Sequence, residues 1–344
     1  MFQTLKIKDV RHDTPDAVIV SFENTDFSWK PGQYLTLRTD INGKDLRRSY
    51  SIATMPGKDL CVGIKHVEGG AFSTHCQNLR PGMTIDVMKP EGRFTLGAEQ
   101  KLILIASGSG ITPMISIAAA ALENGAEVAL IYGNKSTGTI MFREELDTLK
   151  DRFLDRFTLI HILSRETQDV AILNGRITGE KILALGQARA IDLSGADGIF
   201  LCGPGKMIDD VSGALTQDGI PTERIHFERF FQEGESPRAE KSVATLAATA
   251  NGALVEIILD GTRRKISMTD QDDTVLDAAE RQGLELPYSC RGGMCCTCRC
   301  KVTQGSAEMV TNYSLESWET EAGFILACQT RPTTDTLTLD FDVS

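Results

Sequence analysis

The stretch Cys290-Arg291-Gly292-Gly293-Met294-Cys295-Cys296-Thr297-Cys298 decides how this chain is read. Cys290, Cys295 and Cys298 are spaced C-x4-C-x2-C, and Cys328 stands apart downstream in Leu326-Ala327-Cys328-Gln329. That is the spacing of a plant-type [2Fe–2S] cluster. Four thiolates must converge on two irons, three from one tight loop and the fourth from a distant segment. Gly292 and Gly293 give the loop backbone freedom and let N–H groups turn toward sulfur. Three other readings compete. A zinc site wants two C-x2-C-like pairs, and only Cys295/Cys298 form one. A disulfide framework suits a small secreted domain. Buried structural cysteines fit Cys61, Cys76 and Cys202. For the set of four the cluster stands ahead, and it implies that single electrons move here. Cys296 and Cys300 are spaced x3 rather than x2 and read as non-ligands.

Immediately before the loop, a helix is expected over Val275 to Gln282. Before that lies a hairpin, Leu254 to Leu259 and Arg264 to Met268, turned at Asp260-Gly261. Strand, strand and helix in this order suit a β-grasp fold. Further upstream, Glu233 to Asn251 turns loose and polar and reads as a linker ending in alanine-rich coil. The middle of the chain alternates strands with helices. Lys101–Ala106, Val128–Tyr132, Thr158–Leu163 and Gly198–Cys202 are buried-strand runs, with an alanine-rich helix to Asn124, so a parallel sheet is expected. The first part is different again. Ala17–Phe22, Gln33–Arg38, Leu60–Val67 and Thr84–Met88 are closely spaced strands and suggest an antiparallel barrel. The expected division is 1–98 barrel, 99–232 parallel-sheet domain, 233–252 linker and 253–344 cluster domain.

The formal net charge of −11 argues against nucleic acid as a partner. Its excess concentrates from Ala253 onward, with 15 Asp and Glu against 8 Lys and Arg. The N-terminus has no apolar signal core, and Ile111 to Leu122 is too short and broken to cross a bilayer, so no membrane partner is expected. Free thiols fit a reducing cytoplasm. The five histidines are scattered, with no cysteine or carboxylate partner in motif.

Four segments carry nucleotide chemistry. Arg48-Ser49-Tyr50-Ser51 closes a strand and offers a cation for phosphate, an aromatic ring to pack on a flavin, and a hydroxyl donor. Taken alone, it reads as a turn arginine beside a half-buried strand tyrosine. Gly69-Gly70-Ala71-Phe72-Ser73-Thr74 places glycines before hydroxyls at a helix start, a phosphate cradle or an ordinary capped loop. Gly108-Ser109-Gly110-Ile111-Thr112-Pro113 joins a buried strand to a helix, where parallel sheets bind dinucleotide phosphate. It departs from G-x-G-x-x-G at Pro113, so a plain tight turn stays open. Cys202-Gly203-Pro204-Gly205 follows the last strand of that sheet, at the edge where a nicotinamide would face a flavin, or as a simple strand-ending turn.

In this order the segments resemble the ferredoxin–NADP reductase superfamily with a plant-type [2Fe–2S] ferredoxin domain fused at the C-terminus. Within it the chain is similar to the branch that feeds Rieske-type oxygenases and di-iron epoxidases. Pro31-Gly32-Gln33-Tyr34-Leu35, Tyr132-Gly133-Asn134-Lys135 and His226-Phe227-Glu228-Arg229-Phe230 fit that branch too. The resemblance covers essentially the whole chain. It implies FAD ahead of FMN, the [2Fe–2S] cluster and NAD(P)H as cofactors. Arg48, Ser49, His66, Gly70, Ser73 and Thr74 would hold the flavin, and Tyr50 and Ser51 its ring. Gly108, Gly110, Thr112 and Pro113 would cradle the dinucleotide, and Lys135 and Ser136 would read a 2′-phosphate. No acidic residue stands beside Lys135 and Ser136, which favours NADPH. Cys202, Gly203 and Pro204 would lie near the nicotinamide, with Glu228 and Phe230 near the flavin. Ser51, Tyr50 and Glu228 are the implied catalytic residues.

The implied activity is an NAD(P)H oxidoreductase that passes electrons to a separate oxygenase. A flavin is needed because the donor gives two electrons and the cluster accepts one. Two alternatives remain: electron supply to a hybrid-cluster protein, and a redox sensor built on the cluster and the extra thiols Cys296 and Cys300.

Overall fold

The computed structural model describes residues 2–23, 25–230, 240–250 and 252–343. They fall into two compact units, residues 1–232 and 233–344.

The first unit opens with six strands: β1 (Phe2–Thr14), β2 (Ala17–Phe22), β3 (Tyr34–Ile41), β4 (Lys44–Ser51), β5 (Cys61–Lys65) and β6 (Thr84–Met88), with helix α1 (Ala71–Cys76) before the last. All pair antiparallel, in the order β4-β3-β6-β1-β2-β5. A bridge between Ile52 and Val62 joins the two end strands and closes the barrel. Phe22, Leu35, Leu37, Ile52, Ile64 and Phe72 fill it, all nearly or wholly buried. Each such side chain is worth about 1.5–3 kcal/mol of burial.

A parallel sheet follows: β7 (Lys101–Ser107), β8 (Glu127–Asn134), β9 (Phe157–Leu163), β10 (Gly198–Gly203) and β11 (Ile225–Arg229). Its order is β11-β10-β7-β8-β9. The chain therefore runs outward from β7 to one side and returns on the other, so the switch point lies between β7 and β10, where such sheets take ligands. Helices α2 (Ile111–Glu123), α3 (Arg143–Arg152), α4 (Gly179–Gln187) and α5 (Gly205–Gln217) connect the strands. Local chemistry sets their ends. The Thr178 hydroxyl accepts the Lys181 N–H to cap α4, and α3 carries Glu144 and Glu145 in its first turn and Lys150 and Arg152 in its last. Barrel and sheet share a packed boundary. The Gly32 N–H donates to Ser116 Oγ at 3.1 Å, and the Phe142 N–H donates to Asp13 Oδ2 at 2.7 Å. No described helix is long and apolar enough to cross a membrane.

The second unit begins with helix α6 (Val243–Ala250). The sequence suggests a coil linker over 233–252; its residues 233–239 and 251 lie outside the described residues, and Val243–Ala250 is helical instead. Alanine's high helix propensity favours this, and Thr245 Oγ1 pins the helix by donating to Glu308 Oε1 at 2.6 Å. The strands are β12 (Ala253–Leu259), β13 (Thr262–Met268), β14 (Arg299–Gln304), β15 (Ala307–Met309), β16 (Phe324–Leu326), β17 (Thr330–Pro332) and β18 (Thr336–Asp340), with helices α7 (Val275–Arg281) and α8 (Ser317–Glu321). The main sheet runs β13-β12-β18-β14-β16, with β12 and β18 parallel. An antiparallel hairpin, a helix across the sheet and a final strand beside the first make a β-grasp fold.

Candidate redox sites

In the second unit, strand register gathers the thiols. Cys298 precedes β14 and Cys328 follows β16, and these strands pair with Arg299 opposite Leu326. The Ala327 N–H donates to the Cys298 carbonyl at 3.0 Å. Gln329 Nε2 donates to the Arg291 carbonyl at 2.8 Å and reaches Cys328 Sγ at 3.6 Å. Within the loop, the Gly292 N–H donates to Cys290 Sγ at 3.3 Å and the Cys290 N–H to Cys295 Sγ at 3.5 Å.

The four sulfurs form two pairs. A hydrogen bond from Cys295 holds the Cys290 thiol below its ordinary range, and the same bond, with burial, raises Cys295 well above it. Cys298 and Cys328 repeat the arrangement, with Cys328 lowered and Cys298 raised. Two adjacent thiol pairs, with N–H groups aimed at sulfur, fit a group of two irons with two ligands each. Among the described residues no three His, Cys, Asp or Glu side chains converge as a site for one metal ion.

Gly293 takes the left-handed conformation at φ +75°, and a Cβ there would lie 2.9 Å from the Thr311 carbonyl oxygen. Gly292 does not share that conformation. Arg291 (φ 54°) and Cys296 (φ 57°) take it instead. Non-glycine residues in this region are strained by about 1–2 kcal/mol each. Cys296 is half-buried, with its Sγ 3.6 Å from the Ser314 carbonyl. Cys300 is wholly buried in β14, and burial pushes its thiol up. Neither joins the pairs above. Cys61 and Cys76 are buried in the first unit, their thiols pushed up to about 12 by desolvation.

In the first unit the flavin-type residues meet at the end of β4. Period-two alternation puts Arg48 and Tyr50 on one face of the strand and Ser49 and Ser51 on the other. The Tyr50 ring lies 6.0 Å from that of Phe72 on α1, so the two segments read as flavin signals are in contact. Arg48 is half-buried and donates to the Arg47 carbonyl at 2.8 Å. Gly70 is the N-cap of α1 and no side chain caps it, so first-turn N–H groups lack helical acceptors. The Ser73 hydroxyl is used inside the loop: it accepts the Val67 N–H at 3.1 Å and donates to the Gly70 carbonyl at 3.1 Å. His66 Nε2 and Thr74 Oγ1 are 3.1 Å apart.

The nicotinamide-type residues lie at the switch point. Gly108–Gly110 form a single 3-10 turn after β7, leading straight into α2, which holds Thr112 and Pro113. A Cβ on Gly110 would stand 2.2 Å from the Cys202 carbonyl oxygen, so only glycine lets α2 start against the end of β10. Tyr132 Oη donates to the Gly108 carbonyl at 2.9 Å and fixes the turn from β8. The Cys202 thiol is fully buried, and desolvation, with the Glu228 charge beside it, raises it well above its ordinary range. The Phe230 N–H donates to the Gly203 carbonyl at 3.3 Å, and Pro204 caps α5. Cys202 pairs with Glu228 in the β10–β11 register, and Ser51 Oγ donates to Glu228 Oε2 at 3.4 Å. The barrel's strand end and the sheet's strand ends therefore border one crevice.

Beyond β8, Lys135 is exposed and Ser136 half-buried. Two neighbours are not visible in the sequence pattern. The Arg165 N–H donates to the Lys135 carbonyl at 2.7 Å, placing a second cationic residue in the adjoining segment. Glu166 accepts the Thr137 N–H at 2.7 Å and the Thr137 hydroxyl at 2.6 Å, and these bonds lower its pKa. An acidic residue therefore does stand here, in contrast to the expectation. Only the parallel β8–β9 pairing carries residue 166 next to residue 137, so local sequence does not announce it.

Comparison with known proteins gives three family matches along the chain. Residues 4–96 match an oxidoreductase FAD-binding domain, 104–213 an oxidoreductase NAD-binding domain and 257–333 a 2Fe-2S iron-sulfur cluster binding domain. The chain is 42% identical to a subunit of the 1,2-phenylacetyl-CoA epoxidase of Escherichia coli, over 99% of this chain and 98% of that one. It is 34% identical to the ferredoxin reductase component of 3-ketosteroid-9-alpha-monooxygenase of Rhodococcus rhodochrous, over 98% and 96%. Among solved structures, phthalate dioxygenase reductase shares the fold with a TM-score of 0.62 at 21% identity, covering 99% of this chain and 98% of that one.

Proposed function

The chain belongs to the family of oxygenase reductase components with FAD-binding, NAD-binding and [2Fe–2S] domains, and from that premise we propose that it draws electrons from NAD(P)H and delivers them one at a time to a separate oxygenase of Rieske or di-iron type. The observation that carries this is that Glu228, which accepts a hydrogen bond from Ser51 at the end of β4, lies beside Cys202 in the β10–β11 register, so the residues read for flavin border those read for nicotinamide. When bound, the flavin takes the donor's electron pair and the cluster relays single electrons.

Each residue then has a task. Arg48 and the first-turn N–H groups after Gly70 hold flavin phosphates, and Tyr50 packs on the ring. Ser51 offers its hydroxyl hydrogen to the ring, with Glu228 as its alternative acceptor. The Gly108–Pro113 turn, with Gly203 and Pro204 opposite, seats the dinucleotide. Lys135 and Ser136 favour the 2′-phosphate of NADPH. Cys290, Cys295, Cys298 and Cys328 ligate the cluster. On this reading residues 1–98 bind flavin, 99–232 bind the nicotinamide nucleotide, and the cluster unit takes in α6 as well as 253–344. The protein works in the cytoplasm.

The test is an anaerobic titration of the purified protein with NADPH and with NADH, following flavin and cluster absorbance, after the extracted flavin is identified. Sequential bleaching of both bands by NADPH at lower concentration than NADH is expected. A cluster band that stays oxidised while the flavin is fully reduced would refute the relay.

A further inference from the structure

Large hydrophobic side chains are exposed at few described positions, and two of them lie on the segment that covers the thiolate loop. Tyr313 is 39% exposed and Trp318 57% exposed. The segment is fastened to the loop. The Tyr313 N–H donates to the Gly293 carbonyl at 3.0 Å and Ser314 Oγ donates to the same carbonyl at 3.1 Å. It is also rigid. Asn312 Oδ1 accepts the N–H groups of Ser314 and Leu315 at 3.2 and 2.8 Å, and the Leu315 side chain is buried beneath. On α8, the fully buried Glu319 accepts from Arg299 Nε at 2.8 Å, with the Arg299 guanidinium 3.6 Å from the centre of the Phe324 ring. The Trp318 indole N–H donates to Glu316 Oε2 at 2.8 Å, so its one donor is satisfied and its ring faces outward.

The exposed charge carried by this segment itself is of one sign. Between Lys301 and Arg331 the sequence holds four glutamates, Glu308, Glu316, Glu319 and Glu321, and no lysine or arginine. Glu316 and Glu321 are exposed. Rigid exposed aromatics with a charged rim are the residues that dominate protein–protein binding energy. We propose that Tyr313 and Trp318, rimmed by Glu316 and Glu321, form the docking surface for the electron-accepting protein, and that this partner presents an apolar notch ringed by basic residues.

The inference rests on the electron-transfer reading above and commits to a separate protein rather than to this chain's own flavin unit. Residues 1–232 carry 29 acidic and 26 basic side chains, a net charge of −3, so their overall charge offers an acidic rim no attraction. A unit of the same chain also needs little affinity, because its effective concentration is already high. A diffusing partner has no such help.

The experiment uses the full-length holoprotein, cytochrome c as a cationic protein acceptor, and ferricyanide as a small acceptor that needs no docking. Trp318→Ala and Tyr313→Ala should each raise KM for cytochrome c about tenfold. Glu316→Gln should flatten the dependence of that KM on salt. Ferricyanide reduction, cluster absorbance and the rate of cluster reduction by NADPH should stay within about twofold of the parent, since none of these steps uses a docked protein. Unchanged KM for cytochrome c in both aromatic variants overturns the proposal. So does a matching slowdown of internal cluster reduction, which would make the surface the flavin unit's own. A parent protein that reduces neither acceptor refutes the electron-transfer reading itself.

Discussion

Replacing Gly110 with alanine would set a methyl group 2.2 Å from the Cys202 carbonyl oxygen and 2.6 Å from its carbon. Carbon atoms in favourable contact stay about 3.5–4.0 Å apart, so the overlap exceeds roughly 1 Å. Neither group can swing aside, because one begins α2 and the other ends β10. The helix start must retreat from the sheet by about the overlap, at about 1–3 kcal/mol for overpacking. A displacement of about 1 Å at a site that positions a substrate costs about 100-fold in rate. The assay is stopped-flow reduction of the bound flavin by NADPH, with thermal melting in parallel. The second-order rate constant should fall about 100-fold, and the melting temperature by about 2–4 °C for each kcal/mol lost. Gly108→Ala is the comparison for stability. Its φ is +56° but nothing lies within 4 Å of the new Cβ, so it adds left-handed strain without moving the helix, and its melting temperature should drop less. A Gly110→Ala protein that reduces its flavin at the parental rate would refute the placing of the nucleotide on this turn.

Cys328→Ser should abolish or badly weaken the cluster absorbance while NADPH–ferricyanide activity through the flavin persists; a full cluster spectrum in that variant removes Cys328 from the ligand set. Lys135→Ala should raise KM for NADPH about tenfold, the loss of one hydrogen bond to a charged group, and leave KM for NADH within about twofold; equal changes for both nucleotides would show that Lys135 does not read the 2′-phosphate. Desolvation raises the Asp13 pKa, outweighing the Phe142 N–H and Arg11, with Glu144 nearby as a further raising charge. The native state therefore favours protonated Asp13, and that contribution is full below the unfolded value of 3.8 and fades as pH rises through the native value. Urea unfolding of parent and Asp13→Asn, followed by Trp29 fluorescence, should show the parent's relative stability declining from pH 4 toward pH 7. A relative stability that grows with pH would mean the Arg11 contact wins over burial.

Much of the fold is legible in stretches such as residues 17–22 and 84–88, where β-branched runs mark strands with the observed ends. The 13-residue strand β1 is not, because most of its side chains are exposed or half-buried and its polar run lacks a strand's alternation. Val243–Ala250 departs from expectation for a different reason. Its helix is favoured by alanine, but Thr245 gains its partner Glu308 only through tertiary folding. The cysteine set is readable because cluster geometry constrains spacing directly. Arg165 and Glu166 are not, because proximity across parallel strands leaves no trace in local sequence. Cys296 changes meaning as well. It takes a left-handed φ of 57°, a strained position for a non-glycine residue that spacing alone does not show.

The bridge that closes the barrel, Ile52 to Val62, falls one residue after Ser51. The barrel's seam thus runs along the edge of its redox crevice, and whatever fills that crevice also stitches the seam. Native proteins open first where pairing is thinnest, and a single bridge is the thinnest pairing in this wall. Loss of flavin should therefore unzip β4 from β5 before the rest of the barrel yields. Bound flavin should slow amide exchange at Ala53, whose N–H crosses the seam to the Cys61 carbonyl at 2.9 Å, more than at Val20 or Leu37, making cofactor retention and the folded lifetime of the barrel one property.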